Sequence, residues 1–354
     1  MSIFDLNRHD LSAILVGQPA YRSKQVWVGL YNNLEFPWEQ TNLPKSLRTE
    51  LQNHPQANVA LVEAEAHFAD EMTTLKRMYE LSDGNQIETV LMKYDHRTTL
   101  CVSSQAGCAM GCVFCATGQA GYFRNLTQGE ILEQTFHGAR TSRDLFNRRL
   151  SNIVFMGMGE PMSNYDNVIS AIQRISFDFG ISARNITVST VGIVPGIKRL
   201  ADQSLPISLA ISLHSANNSK RSSLVPINNT YPIEELVESI KYFQSRSTRR
   251  VSFEWAMMAD INDTSDDIEE LANIANQVSA HVNLIPLNPT PGFKTVGSSP
   301  DRVFQFRNEL AKLGVNATIR RNRGNQIAGA CGQLVTQVSS KSRKPIGNLT
   351  IKTS

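Results

Sequence analysis

Between Thr98 and Asn288 the chain alternates short apolar runs with longer amphipathic ones, and this alternation constrains the fold more than any other feature. The apolar runs are TTLCVS, SNIVFMG, NITVST, ISLAISLH, VSFEWAMM and HVNLIPLN. Their length and composition suit strands covered on both faces. Among the intervening segments, TQGEILEQTFHGART, NVISAIQRI, IEELVESIKYFQSR and DDIEELANIANQV place apolar residues at helical spacing. Strand and helix in alternation predict an α/β fold with a parallel sheet and crossover helices. An open partial (β/α)6 barrel and a doubly wound sheet both satisfy the pattern. In either, ligand-binding groups sit on loops at the carboxyl ends of the strands.

The first 93 residues read differently. DLSAILV and YRSKQVWVGLYN have helical patterning, and Pro37 and Pro44 punctuate the stretch after them. MTTLKRMYEL and QIETVLMKYD then read as strands of a small sheet, joined by the turn Ser82-Asp83-Gly84. The predicted organisation is an accessory unit with a short β extension (1–93), a catalytic core (94–324) and a C-terminal segment (325–354). A chain of 354 residues is long enough for this. No run approaches the roughly 18 apolar residues of a membrane helix, and the N-terminus MSIFDLNRHD lacks a secretory pattern. A soluble protein of a reducing cytoplasm, with no membrane partner, is the expectation.

Charge is unevenly spread. From Leu310 onward there is no Asp or Glu, while Lys312, Arg320, Arg321, Arg323, Lys341, Arg343, Lys344 and Lys352 contribute eight positive charges. In a chain of net charge +3, the remainder is therefore acidic by five. A basic tail on an acidic body fits contact with a polyanion, although a solvated tail has the same composition. Arg148 with Arg149, and Arg249 with Arg250, are further candidates for phosphate contact.

Five cysteines occur, an odd number, and four of them are bunched: Cys101, Cys108, Cys112 and Cys115, with Cys331 far downstream. This is not a disulfide framework. Cys108, Cys112 and Cys115 have the spacing C-x3-C-x2-C, directly after the first barrel-type strand. Thiolates are the ligands of iron–sulfur clusters, and three of them leave one iron of a four-iron cluster open to a small molecule. A zinc site would need a second cysteine pair or a histidine pair, and inert core cysteines would not cluster in this way. Gly107 and Gly111 let the backbone wrap closely around such a cluster. Downstream, FMGMGEP ends the second apolar run, where Gly159 permits close backbone approach and Glu160 can accept hydrogen bonds from an amine. Cys101 and Cys331 fall outside the triplet. Each can be read as a small buried hydrophobe, but Cys331 lies in the glycine-rich GNQIAGACGQL. There, Arg320, Arg321 and Arg323 would favour a thiolate.

The C-x3-C-x2-C loop with the glycine-rich strand end after it resembles the radical S-adenosylmethionine (SAM) superfamily. More closely, TLCVSSQAGCAMGCVFCATG, RNLTQGEI, FMGMGEP, TVSTVGIVP, SLHSANN, IPLNP and GACGQL resemble, in order from Glu88 to Leu334, the RlmN/Cfr family of RNA methyltransferases. YRSKQVW is similar to that family's accessory domain. The resemblance implies a partial radical SAM barrel and one [4Fe-4S] cluster on Cys108, Cys112 and Cys115. It also implies S-adenosyl-L-methionine, two molecules per turnover, contacted at Gly159, Glu160, Ser189, Ser212, Leu213, His214 and Asn288.

The resemblance further implies a two-thiol mechanism. Cys331 takes a methyl group from one SAM, and a radical derived from the second removes a hydrogen from that methyl. The carbon radical adds to an RNA adenine. Cys101 resolves the adduct, leaving a transient Cys101–Cys331 disulfide, with Glu88 as proton acceptor. Carbon-2 of adenine is not nucleophilic, so radical addition suits it where polar methyl transfer would fail. The implied partners are 23S rRNA before full ribosome assembly, tRNA, and a low-potential electron donor such as flavodoxin. The implied positions are adenine 2503 of the rRNA and adenine 37 of some tRNAs. A target base must leave its stack to enter a barrel mouth. One branch of the family methylates carbon-2 and the other carbon-8. SSQAGCAMGC and ATGQAGYFRNL are worded like the first. Two other classes remain open at this level: an RNA-binding protein with a structural cluster, which should supply four ligands, and a thiolating radical enzyme, which should carry cysteines for a second cluster.

Overall fold

In a computed structural model, which describes residues 2–320 and 322–335, all six apolar runs form strands of one sheet. The chain opens with helices α1 (Arg8–Ile14), α2 (Tyr21–Val28) and α3 (Lys45–Gln52), and continues into strands β1 (Leu61–Ala69), β2 (Thr74–Leu81) and β3 (Gln86–Lys93). Strand β4 (Thr98–Cys101) starts the core, and a hairpin of β5 (Gln105–Gly107) and β6 (Tyr122–Asn125) comes next, with the short α4 (Ala116–Ala120) between its strands. Then come α5 (Gln128–Phe146), β7 (Asn152–Phe155), α6 (Tyr165–Phe177), β8 (Ile186–Thr190), α7 (Val194–Ala201) and β9 (Ser208–Ser212). The chain continues through α8 (Asn218–Leu224), α9 (Ile233–Arg246), β10 (Val251–Met257), α10 (Ser265–Gln277), β11 (His281–Pro286), α11 (Pro300–Lys312) and β12 (Ala317–Ile319).

The parallel strands pair in the order β4-β7-β8-β9-β10-β11-β12, the order in which they occur in the chain. A doubly wound sheet reverses direction at a switch point. This sheet does not, so it is the partial-barrel solution. The short β12 adds a strand beyond the six expected. The β extension is not a separate small sheet: β1, β2 and β3 run antiparallel and β3 pairs with β4, Val90 opposite Cys101, so one ten-stranded sheet spans both regions.

Local chemistry explains the helix starts. Thr127 caps α5 with a reciprocal Glu130 bond, and Thr264 caps α10 with Asp267 in the same way. Burial alternates along β8, while β4 is buried throughout. Ile153, Phe155, Phe253 and Trp255 are no more than 1% exposed, and Trp255 meets Phe306 of α11 on the helix side of the sheet. The N-terminal unit docks through Glu133 of α5, a fully buried carboxylate. It accepts bonds from Ser2 Oγ (2.6 Å), Ala60 N (2.9 Å) and Leu61 N (2.9 Å).

Beyond β12 the chain returns across the sheet to the β extension. Arg323 donates to Thr73 Oγ1 (3.1 Å) and to the Lys93 carbonyl (2.9 Å), and Gly324 N donates to Asp70 Oδ2 (2.9 Å). This crossing brings Cys331 in front of the parallel strands. No helix among the described residues is long and apolar enough to cross a membrane.

Candidate active site

The cysteine loop is shaped by the β5–β6 hairpin. Gly107 has φ +72°, and a Cβ there would lie 2.0 Å from the Gly121 carbonyl oxygen. That same oxygen accepts the amide of Cys108 at 2.8 Å, so only glycine lets the hairpin present Cys108. Val113 N donates to the Leu224 carbonyl (3.2 Å), which ties the loop to the end of α8. Cys112 is buried with Leu224, Val225, Ala256 and Met258.

Burial pushes the Cys108 thiol up to about 12, and Glu160 and Cys115 add to that. Burial likewise lifts Cys112 well above the ordinary thiol range, reinforced by Cys115 and Cys108. The three thiols therefore lie close enough to oppose one another's ionisation. Such a set is poorly matched to being a free thiolate cluster and well matched to a metal, whose charge displaces the protons. Among the described residues, no three His, Cys, Asp or Glu side chains converge tightly enough for a single metal ion. In a cubane each thiolate binds a different iron, so the donor set fits a four-iron cluster.

A cavity opens beside this loop at the carboxyl ends of the strands. It is lined by Cys112, Cys115, Gly159, Glu160, Ser189, Ser212, His214, Asn288 and Cys331, among others. Nine of the residues singled out from the sequence thus converge. Glu160 accepts from Met162 N (3.0 Å) and Val191 N (2.9 Å), and desolvation pushes it up to about 7. Gly159, at φ +94°, keeps the backbone against Gln105, where a Cβ would approach within 2.5 Å. Ser189 and Ser212 face each other at 3.4 Å between their hydroxyls. His214 holds a left-handed backbone (φ 58°), its Nδ1 accepts from Ala256 N (3.0 Å), and burial drives its basicity down to about 3. The neutral ring packs edge-on against Phe114.

Leu213 is the exception within SLH: its side chain belongs to the core and does not line the cavity. Cys108 also lies off the lining.

Cys331 opens on this cavity and on a second one deeper in the barrel. The two share Met156, Glu254, Ile285, Arg320, Cys331 and Leu334, and only the second reaches Cys101. The segment carrying Cys331 is held from the barrel side. Ala116 N donates to Gly332 O (2.7 Å), Thr117 Oγ1 to Leu334 O (2.6 Å), Asn288 Nδ2 to Cys331 O (3.0 Å) and Gln333 Nε2 to Pro289 O (3.2 Å). From the other side, Glu88 Oε2 accepts from Val335 N (3.0 Å). Glu88 lines neither cavity; it is buried in an ion pair with Lys76 Nζ at 2.9 Å.

The expected electrostatics of Cys331 need correction. Although its side chain is exposed to the two cavities, protein crowds it, and desolvation raises the thiol above its ordinary value; Arg320 opposes that shift without overcoming it. Arg320 is paired with Glu254 (3.2 Å), which dilutes its effect. Arg323 is turned toward Thr73 and the face of Tyr94. Cys331 also feels Cys115, and Cys101, pushed up to about 12 by burial, feels Cys331. Cys331 therefore stands between Cys115 and Cys101.

The basic pairs fare differently. Arg148 donates to the carbonyls of Tyr94 (2.7 Å) and Asp95 (2.6 Å), Arg149 to Phe179 (3.0 Å) and Gly180 (2.8 Å), and Arg249 to Arg184 (2.8 Å). Both pairs precede strands, β7 and β10, and so lie at the end opposite the cavity mouth. These arginines tie loops together. Of the basic tail, Arg321, Lys341, Arg343, Lys344 and Lys352 lie outside the described residues.

Comparison with known proteins agrees with this geometry. Residues 102–275 match the model of the radical SAM superfamily. A Corynebacterium diphtheriae protein named "Probable dual-specificity RNA methyltransferase RlmN" is 44% identical over 332 residues, which is 91% of this chain and 89% of its own. Myxococcus xanthus "Dual-specificity RNA methyltransferase RlmN 1" is 41% identical, covering 98% of this chain and 97% of its own. The chain belongs to the RlmN family. A radical SAM methyltransferase from Sphaerobacter thermophilus superposes with a TM-score of 0.90 at 42% identity, over 94% of this chain and 99% of that one. As a member of the RlmN family, the chain is a radical SAM enzyme that methylates RNA, and the superfamily implies SAM and a four-iron cluster. Sequence reasoning passed over Glu254, Lys76 and Arg221. Their roles depend on partners far along the chain, and no local pattern marks them.

Proposed function

We propose that this chain methylates carbon-2 of adenine 2503 in 23S rRNA and of adenine 37 in some tRNAs, with Cys331 as methyl carrier and Cys101 as resolving thiol. The observation that carries this reading is the placement of Cys331. It faces one cavity with Cys112 and Cys115 and a second with Cys101. A single thiol that must meet SAM first and RNA later needs this double exposure.

Cys108, Cys112 and Cys115 would hold the cluster, and Glu160, Ser189, Ser212, His214 and Asn288 would contact SAM. The cluster supplies the one electron that cleaves SAM and so generates a radical able to abstract hydrogen. The protein residues do the rest. Cys331 accepts a methyl group by displacement at the SAM sulfonium. After losing one hydrogen, the methyl carbon on Cys331 bonds to carbon-2 of the adenine. Glu88 would take the proton from carbon-2, leaving its pair with Lys76 to do so, and the odd electron left by radical addition would return to the one-electron carrier that supplied it. Cys101 attacks the sulfur of Cys331, which breaks the bond between that sulfur and the transferred carbon and closes a Cys101–Cys331 disulfide; the released carbon keeps the electron pair and takes a proton to become the methyl group. The crowded surroundings of both thiols restrain stray oxidation, since low-pKa, accessible thiols are the readily oxidised ones. A low-potential protein such as flavodoxin fits the electron supply, and the cytoplasm fits the thiols' redox needs.

The test is mass spectrometry of 23S rRNA and tRNA nucleosides after reaction. 2-Methyladenosine in both supports the reading. 8-Methyladenosine assigns the chain to the other regiochemistry, and no methyladenosine rejects the substrate altogether.

A further inference from the structure

Arg221 has no place in the chemistry above, yet it is fully buried in α8, the helix whose end supports the cysteine loop. Its guanidinium makes four hydrogen bonds, all to neutral acceptors. Nε donates to Leu213 O (3.1 Å), Nη1 to Asn228 Oδ1 (2.8 Å), and Nη2 to Val191 O (2.5 Å) and Ser212 O (3.4 Å). Among the described residues, no carboxylate forms an ion pair with it. A buried arginine normally has such a partner, because hydrogen bonds to dipoles alone do not repay the loss of hydration. Burial drives Arg221 down to about 10, and the one neighbour that works against this shift is Cys112.

The surroundings fix this charge beside the cysteine loop. Leu224, three residues on, packs against Cys112 and accepts the amide of Val113. Val191 receives Arg221 at its carbonyl and donates its amide to Glu160 Oε2 (2.9 Å). Glu160 is not a dependable counter-ion, since burial lifts it to about 7. The permanent negative charge that this pocket needs arises only when Cys108, Cys112 and Cys115 become thiolates on iron. Three thiolates outweigh the charge of an oxidised four-iron cluster, and reduction by one electron from an external donor increases the excess. A fixed cation beside it stabilises the reduced form more than the oxidised one.

We infer that Arg221 is the built-in countercharge of the iron–sulfur cluster, raising its reduction potential and helping to retain it. The inference rests on the cluster assignment. Iron content and visible absorbance of the unmodified enzyme test that assignment separately.

The experiment is an EPR-monitored redox titration of the reconstituted full-length enzyme, with iron content measured on every sample. Arg221→Gln is expected to move the midpoint to more negative potential, with about a tenfold lower reduced-to-oxidised ratio at fixed potential, equivalent to ~59 mV for one electron. Arg221→Lys keeps the charge and is expected to stay near the parent. Asn228→Asp keeps the guanidinium but sets a carboxylate against it, and is expected to shift the midpoint in the same direction as Arg221→Gln. If Arg221→Gln fails to hold iron, retention by Arg221→Lys supports the inference and equal loss overturns it. Unchanged midpoints in Arg221→Gln and Asn228→Asp, or the same shift in Arg221→Lys, also overturn it.

Discussion

Thr117→Val probes how the barrel holds the segment carrying Cys331. The Thr117 hydroxyl donates to the Leu334 carbonyl at 2.6 Å, and both residues are buried. Valine keeps the shape and removes the donor, so the Leu334 carbonyl is left without a partner. An unsatisfied buried acceptor costs about 1–2 kcal/mol. The four remaining ties, from Ala116, Asn288, Gln333 and Glu88, keep the segment docked. The loss therefore appears as more frequent local opening and not as unfolding. A penalty of that size is roughly a 5- to 30-fold faster exchange of the amides that the docked segment protects. Hydrogen exchange with mass spectrometry reads this on a peptide spanning 328–335, where Val335 N is protected by Glu88 and Gln333 N by the Ala330 carbonyl. A peptide over β10, in the centre of the sheet, serves as reference and should not change. Unaltered exchange in 328–335, or equal acceleration in both peptides, would refute the reasoning.

The same geometry sets three further outcomes. Gly107→Ala adds a Cβ 2.0 Å from the carbonyl that positions Cys108, and the left-handed backbone alone costs about 1–2 kcal/mol. Iron content after reconstitution should fall, and full iron at an unchanged melting temperature would contradict the hairpin's role. His214 is held neutral in the folded chain down to about pH 3, whereas the unfolded chain protonates it near 6.5. The unfolded state thus binds the extra proton between those values, and stability falls as pH drops below about 6.5, by up to ~1.4 kcal/mol per unit. Urea unfolding at pH 7 and pH 5 should show a loss about 2 kcal/mol smaller in His214→Asn; equal losses would show that His214 is not responsible. Cys331→Ala should keep its iron and lose methylation entirely, and residual methyl transfer measured by radiolabel would remove the carrier role.

The core's strands were legible because each is short, bounded by helical segments, and sets apolar residues against the covering helices, as the alternating burial of β7 and β8 shows. What escaped was written in other terms. Helix α7 carries Pro195 and Gly196, which read as breakers. Yet the proline sits in the first turn, and the glycine lets the helix meet Met162, where a Cβ would come within 2.7 Å. Strand β1, LVEAEAHFA, is exposed along most of its length and lacks a strand's alternation. The grouping of Cys108, Cys112 and Cys115 on one loop was legible from spacing alone. Nothing in NSKRSSL marks Arg221 as buried, because its partners lie 7 to 30 residues away. Arg148, Arg149 and Arg249 show the same limit, since their bonds to carbonyls of distant loops are not written in the local sequence.

Two thiols working in sequence on either side of one RNA adduct are the centre of the proposed mechanism. Cys101→Ala tests it most directly. The variant enzyme, reacted with SAM and RNA, is digested, and the peptide bearing Cys331 is analysed by mass spectrometry. The expected product is that peptide linked through one carbon to an adenosine, accumulating because no second thiol releases it. Free methylated adenosine at the parent's rate, with Cys331 unlinked, would contradict the two-thiol mechanism.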